Sequence, residues 1–355
     1  MAAGTMKNDN EYWILALSGG GARGLFTAAV LEELENAIGE PVARHFDLIA
    51  GTSIGGILAL GLAKEIPSAR LKALFDHSKE IFDPSCGFPR WPIFRARYRN
   101  EALKALLEDE EVFGKAIIGD LEHRIVIPSV NYTKGEPSFF KTPHHTNLRR
   151  DWQYRLVDVG MATAAAPTYF PIYSFANQDY VDGGLVANAP GLIAVHEALH
   201  FAGQPDVQRV HVLSIGTAGS GTAMDPALAS NMGALVGFKR RRFWFSKGWG
   251  FRLFELTISS QEAMSNSMLG HWLGKRHYAI DAVPRPQQTN YLALDDVSDE
   301  AREALLGQAA IASQNHLTTD LVDKIRAHKP KAPVFFHGPN KNFTEPEAPH
   351  VFESQ

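Results

Sequence analysis

The stretch that most constrains this chain is Gly51-Thr52-Ser53-Ile54-Gly55. An apolar run, Phe46-Asp47-Leu48-Ile49-Ala50, precedes it, and Gly56 to Lys64 follows with no proline before Pro67. That order predicts a strand, a tight turn and a helix, the context in which G-x-S-x-G forms a nucleophile elbow. The turn is strained, so small residues must flank the serine, here Gly51 and Gly55. The following helix aims its N-terminal amides at the serine, where negative charge would develop during acyl transfer.

The same pattern occurs once before. Tyr12 to Leu17 is apolar and strand-like, Ser18-Gly19-Gly20-Gly21-Ala22-Arg23-Gly24 follows, and Leu25 to Ile38 has apolar positions at helical spacing. A glycine loop at a helix start offers free backbone N–H groups and makes an anion site. In a hydrolase that anion would be the tetrahedral oxyanion. The loop is not a P-loop, because no Gly-Lys-Ser/Thr follows at the required spacing. Gly19, Gly21 and Gly24 do match G-x-G-x-x-G, but the dinucleotide fold wants an acidic residue at the end of the next strand, and here that strand runs into Ser53.

Two strand-loop-helix units in succession predict a parallel sheet with covering helices. The 355 residues are 45% hydrophobic and 21% charged, enough for a large folded core. The formal net charge of -4 argues against a nucleic-acid partner. The single cysteine, Cys86, forbids an internal disulfide and fits a reducing cytoplasm. Met1 to Glu11 shows no signal-peptide pattern, and no apolar run is long enough to span a bilayer. Contact with a membrane is therefore expected to be peripheral.

Further along, strands are expected at Arg124–Tyr132, beside Ser138–Thr142, and at Arg209–Thr217. Helices are expected at Pro67–Phe82, Glu101–Glu108, Val157–Ala166, Ala194–Ala202, Glu255–Leu273 and within Asp299–Lys329, and an irregular wrap at 330–355. Two stretches mix arginines with aromatic residues: Asp83 to Asn100, a candidate lid, and Phe238 to Phe254, a candidate contact with an anionic bilayer. A solvated loop with buried aromatics is an equal reading of each. No HExxH, calcium loop or Cys/His cluster is present, so no metal is expected.

A serine nucleophile needs a base. Fourteen histidines leave a Ser-acid-His triad open by count, although the elbow comes too early for an α/β-hydrolase. Asp182-Gly183-Gly184 offers another solution, since glycines let a carboxylate approach closely; taken alone it reads as a plain turn. In combination and in this order, the glycine loop with Arg23, Gly-Thr-Ser-Ile-Gly and Asp-Gly-Gly resemble the patatin-like phospholipase family. Ala166-Pro167-Thr168-Tyr169-Phe170-Pro171 and Asn188-Ala189-Pro190 also resemble family signatures. The resemblance covers roughly residues 12–217. It implies a three-layer α/β/α fold with a mostly parallel sheet, and hydrolysis of glycerophospholipid esters by a serine-aspartate dyad.

Carried over by motif, the resemblance implies Ser53 as nucleophile and Asp182 as base, with Gly20, Gly21 and Arg23 in the oxyanion loop. Gly19, Gly24, Gly51, Gly55, Gly183 and Gly184 complete the motifs. Relatives often carry Asp before the glycines, where this chain has Ser18. The implied domain plan is a catalytic core at 12–217 and a C-terminal helical extension, 218–355, packed on it. A narrower likeness is to the phospholipase effectors of bacterial anti-phage (CBASS) signalling, which implies activation by a cyclic dinucleotide such as cyclic GMP-AMP, a membrane phospholipid substrate and no cofactor. A constitutive lipase, a non-catalytic lipid-binding protein and a homo-oligomer stay open at this point.

Overall fold

The computed structural model describes residues 11–84, 96–219, 249–283 and 293–344. In chain order the first elements are β1 (Tyr12–Leu17), α1 (Gly24–Ile38), β2 (Leu48–Gly51), α2 (Ile54–Ala63), α3 (Ser68–Ala73), α4 (Ser78–Ile81) and α5 (Glu101–Glu108). The middle of the chain supplies β3 (Ile125–Asn131), β4 (Glu136–Lys141), α6 (Leu156–Thr163), β5 (Tyr173–Phe175), β6 (Gln178–Asp182), α7 (Gly184–Ala187), α8 (Gly191–His200) and β7 (Val210–Ile215). The last elements are α9 (Trp249–Leu273), β8 (His277–Ile280), α10 (Asp299–His316) and α11 (Thr319–Ala327).

One eight-stranded sheet runs β5-β6-β3-β2-β1-β7-β8, with β4 paired to β3. Its centre is parallel: β1 with β2 and β7, β2 with β3, and β7 with β8. Antiparallel pairing is confined to β3 with β4 and β6, and β5 with β6. Strand β1 is buried along its whole length, because both faces of the sheet are covered. Trp13, Leu15 and Leu17 join the core formed with α1, α2 and α6, while Tyr12, Ile14 and Ala16 join Val195 and Ala198 of α8 and Leu269 and Leu273 of α9. The period-two alternation of one strand thus divides the core into two, which makes the fold the expected three-layer α/β/α sandwich.

Register sets the location of the site. Leu17 lies opposite both Gly51 and Ile215, so the loops after β1, β2 and β7 leave the sheet at one level. That edge, outside the carboxyl ends of parallel strands, is where ligands bind in open α/β sheets. Asp182 reaches the same edge at the end of antiparallel β6, opposite Ser129.

Three readings from the sequence change. The expected helix at 67–82 is divided, with a 3-10 turn at Leu74–His77 between α3 and α4 that buries Phe75. The expected helix within 299–329 is two helices, because the Thr318 side chain accepts from the Leu321 amide at 3.3 Å and starts α11 afresh. The segment read as a helical extension also supplies β8, the edge strand beside β7, while α10 and α11 pack on α1. Both basic-aromatic stretches lie largely outside the described residues.

Candidate active site

Ser53 sits at the elbow with φ 55° and ψ −125°, a left-handed conformation strained for any residue with a side chain. Tight packing holds it there. A Cβ on Gly51 would stand 2.1 Å from the Gly55 carbonyl oxygen, and one on Gly55 would stand 2.4 Å from that of Leu17. The Ser53 amide donates to Thr163 Oγ1 at 2.9 Å, and that hydroxyl donates to the Pro128 carbonyl at 2.6 Å. Thr52 is fixed in turn, its hydroxyl donating to the Ala187 carbonyl at 2.6 Å.

The strained turn presents Ser53 Oγ to Asp182, donating to Oδ2 at 2.7 Å. The other carboxylate oxygen accepts from the Gly184 amide at 2.6 Å. Gly183 lets the turn fold against β3, where a Cβ would stand 2.2 Å from the Pro128 carbonyl oxygen. Burial pushes the Asp182 carboxyl up to about 7, against the opposing pull of its bonds to Ser53 and Gly184. A group that titrates there can accept a proton near neutral pH and return it. Among the described residues, no histidine lines the cleft that holds Ser53.

The glycine loop lies across from this pair. The amides of Gly19, Ala22 and Arg23 are engaged, donating to the carbonyls of Asn188, Leu294 and Gly20. The amides of Gly20 and Gly21 donate to no group among the described residues, and both glycines line the cleft with Ser53. Gly21 has φ 56° and would place a Cβ 2.3 Å from the Leu294 carbonyl oxygen. Gly24 lets α1 approach the elbow helix, where a Cβ would meet Ile54 at 2.4 Å. Arg23 belongs to the loop but not to the cleft: its guanidinium is buried against Gly219. Its amide is already used, whereas Gly20 and Gly21 bring to the cleft amides that donate to no group among the described residues.

Beyond the polar end the cleft is apolar, with Ile57, Leu103, Tyr169, Phe170, Phe254 and Leu294 among its walls. It has the shape and polarity for an acyl chain whose ester carbonyl reaches Ser53. At the ends of the basic-aromatic stretches, Phe254 enters this wall, while Tyr98 and Arg97 hold Asp295 at 2.7 Å and 2.8 Å.

Sequence reasoning did not assign roles to Thr163, Asn188, Thr217 or Glu262. Asn188 carried a signal, standing six residues after Asp182 in a segment singled out for its family likeness. The other three carried none, since ordinary threonines and a glutamate in a long helix resemble many others.

Residues 15–195 match the family model described as patatin-like phospholipase. Over 340 residues the chain is 43% identical to a "cGAMP-activated phospholipase" of Pseudomonas aeruginosa, covering 94% of this chain and 97% of that one. Proteins of the same description from Vibrio cholerae and Escherichia coli are each 35% identical, covering 87% and 93% of this chain and 89% and 94% of theirs.

Proposed function

The chain belongs to the patatin-like phospholipase family, and from that premise we propose that it hydrolyses membrane glycerophospholipids with Ser53 as nucleophile and Asp182 as general base, under the control of a cyclic dinucleotide. The observation that carries the chemistry is the 2.7 Å bond from Ser53 Oγ to a fully buried carboxylate, opposite two amides without partners among the described residues. Ionised Asp182 takes the Ser53 proton as Oγ attacks the ester carbonyl carbon. The carbonyl π electrons move to oxygen, and the N–H groups of Gly20 and Gly21 stabilise that charge. The intermediate collapses by breaking the bond to the glycerol oxygen, which leaves with the proton from Asp182. Water then adds to the acyl-serine, again giving its proton to Asp182, and the fatty acid departs as Ser53 regains a proton.

No helix among the described residues is long and apolar enough to cross a membrane. The enzyme works from the cytoplasmic membrane surface. Control by a cyclic dinucleotide, cyclic GMP-AMP first among candidates, is supported by the three relatives described as cGAMP-activated. A role in anti-phage defence follows from that control.

The test is fatty-acid release from phospholipid vesicles, with and without a panel of cyclic dinucleotides. Release should rise sharply with one of them and vanish in Ser53→Ala, while the nucleotide still binds that variant. Full release without nucleotide, unchanged by the panel, would leave a constitutive lipase; undiminished release by Ser53→Ala would remove the serine from the chemistry.

A further inference from the structure

A buried polar chain runs from the glycine loop through Asn188, itself part of the cleft wall, into α9. The carbonyl oxygen of Gly19 accepts from Asn188 Nδ2 at 3.3 Å and from Thr217 Oγ1 at 3.4 Å. Asn188 Nδ2 also donates to Glu262 Oε2 at 3.1 Å, reaching into α9. Asn188 is wedged in place: its Oδ1 stands 2.5 Å from where a Cβ on Gly19 would be and 3.0 Å from where one on Gly184 would be.

We propose that Glu262 is a positioning residue for the oxyanion site, acting through Asn188 to fix the Gly19–Gly20 peptide with its N–H toward Ser53. The inference rests on the reading of Gly20 as an oxyanion donor. A trans peptide is planar, with its C=O and N–H directed to opposite sides. Two side-chain bonds that hold the Gly19 oxygen therefore fix the opposite heading of the Gly20 N–H, at a residue that lines the cleft with Ser53.

Asn188 can do this only with its nitrogen facing Gly19, since the reverse orientation would set two oxygens against each other. Glu262 selects that orientation because it too is an acceptor. Packing alone does not ask for a carboxylate here. Its neighbours on the buried face of α9 include Ile258 and Leu269, and burying a carboxyl is unfavourable where an apolar side chain would pack. Burial and the nearby Asp281 push Glu262 up to about 7, while Arg23, Asn188 and Ser18 draw it down. Protonated or not, it keeps one oxygen able to accept from Asn188, so glutamine can replace it.

The experiment measures turnover of a short-chain nitrophenyl ester with cyclic GMP-AMP present, per site titrated with a fluorophosphonate, so that unfolded protein is not counted. E262M, close in volume but without an acceptor, should lower kcat about 10-fold with KM within about twofold. That is less than the 10²–10³-fold loss of a whole donor, because the amide is misaimed rather than removed. E262Q should recover most of the rate. Thr217→Val removes the other bond to the Gly19 oxygen with little change of shape and should lower kcat in the same sense. The proposal is overturned by kcat per titrated site within about twofold of wild type in both E262M and Thr217→Val. It is equally overturned by an E262Q no better than E262M, or by losses confined to KM. Failure of the fluorophosphonate to label Ser53 in the wild-type protein, with and without cyclic GMP-AMP, would instead bring down the assignment of the serine, and this inference with it.

Discussion

The chain builds the same unit twice and uses it in two ways. Strand β1 with its glycine loop and α1, and strand β2 with its elbow and α2, start from neighbouring parallel strands in register. In each turn one residue adopts a left-handed conformation, Gly21 at φ 56° and Ser53 at φ 55°. In the first turn that residue is glycine, which takes the conformation without strain and leaves its amide available. In the second it must carry a hydroxyl, so the strain is kept and the neighbours absorb it: Gly51 and Gly55 give room, and Thr163 holds the Ser53 amide. Where the chemistry needs only backbone donors, the turn is made of permissive residues. Where it needs a side chain, the strain stays and packing over-determines it.

The comparison breaks most completely at the second unit. Asp182→Asn should lower turnover about 10²–10⁴-fold, because asparagine cannot accept the Ser53 proton. In the wild-type protein, log kcat/KM should rise as pH increases through about 7, since protonated Asp182 is not a base and burial holds its carboxyl there. A rate independent of pH between about 5 and 8 would contradict general-base chemistry by this group.

Next comes the first unit. Gly21→Ala puts a Cβ 2.3 Å from the Leu294 carbonyl oxygen at a positive φ and displaces a donor, so kcat should fall about 10²-fold. Ser53 should nevertheless stay in place, and its bond to Asp182 should survive in a crystal structure of that variant. Gly55→Ala separates the two units from the other direction. Its new Cβ would meet the Leu17 carbonyl oxygen at 2.4 Å, a backbone atom that cannot step aside, so the loss should be in stability, about 3 kcal/mol or more by denaturant unfolding. The smallest effect is expected where glycine serves neither purpose. Gly307, exposed in α10, has no atom within 4 Å of an added Cβ, and Gly307→Ala should stabilise the protein by about 1 kcal/mol with turnover unchanged.

Much of the fold was legible because it is local. An apolar run, glycines and helical spacing lie next to one another along the chain at 12–38 and 46–64, and the structure places β1, α1, β2 and α2 there. The strand at 125–131, its antiparallel partner and β7 in the same sheet were also readable from apolar patterning. Strand β8 was not, because four residues, of which only Ile280 is buried, acquire strand character only by lying beside β7. The division of α10 from α11 was missed because a threonine cap is one side-chain bond inside an otherwise helical pattern.

The sequence by itself determined the turn that strains Ser53 and the loop that frees backbone amides, since both follow from glycine placement within a few residues. For Asp182 it offered only a turn, and the likeness to a family gave that turn a role. The tertiary structure alone decided that Ser53 Oγ, 129 residues away along the chain, stands 2.7 Å from that carboxylate. It alone set Glu262 against Asn188, 74 residues apart, and Asn188 against the carbonyl of Gly19. The physical reason is the same in each case. Backbone conformation is governed by steric contacts between neighbours in sequence, whereas a buried polar group takes whatever partner the packing of separate elements brings within hydrogen-bond reach.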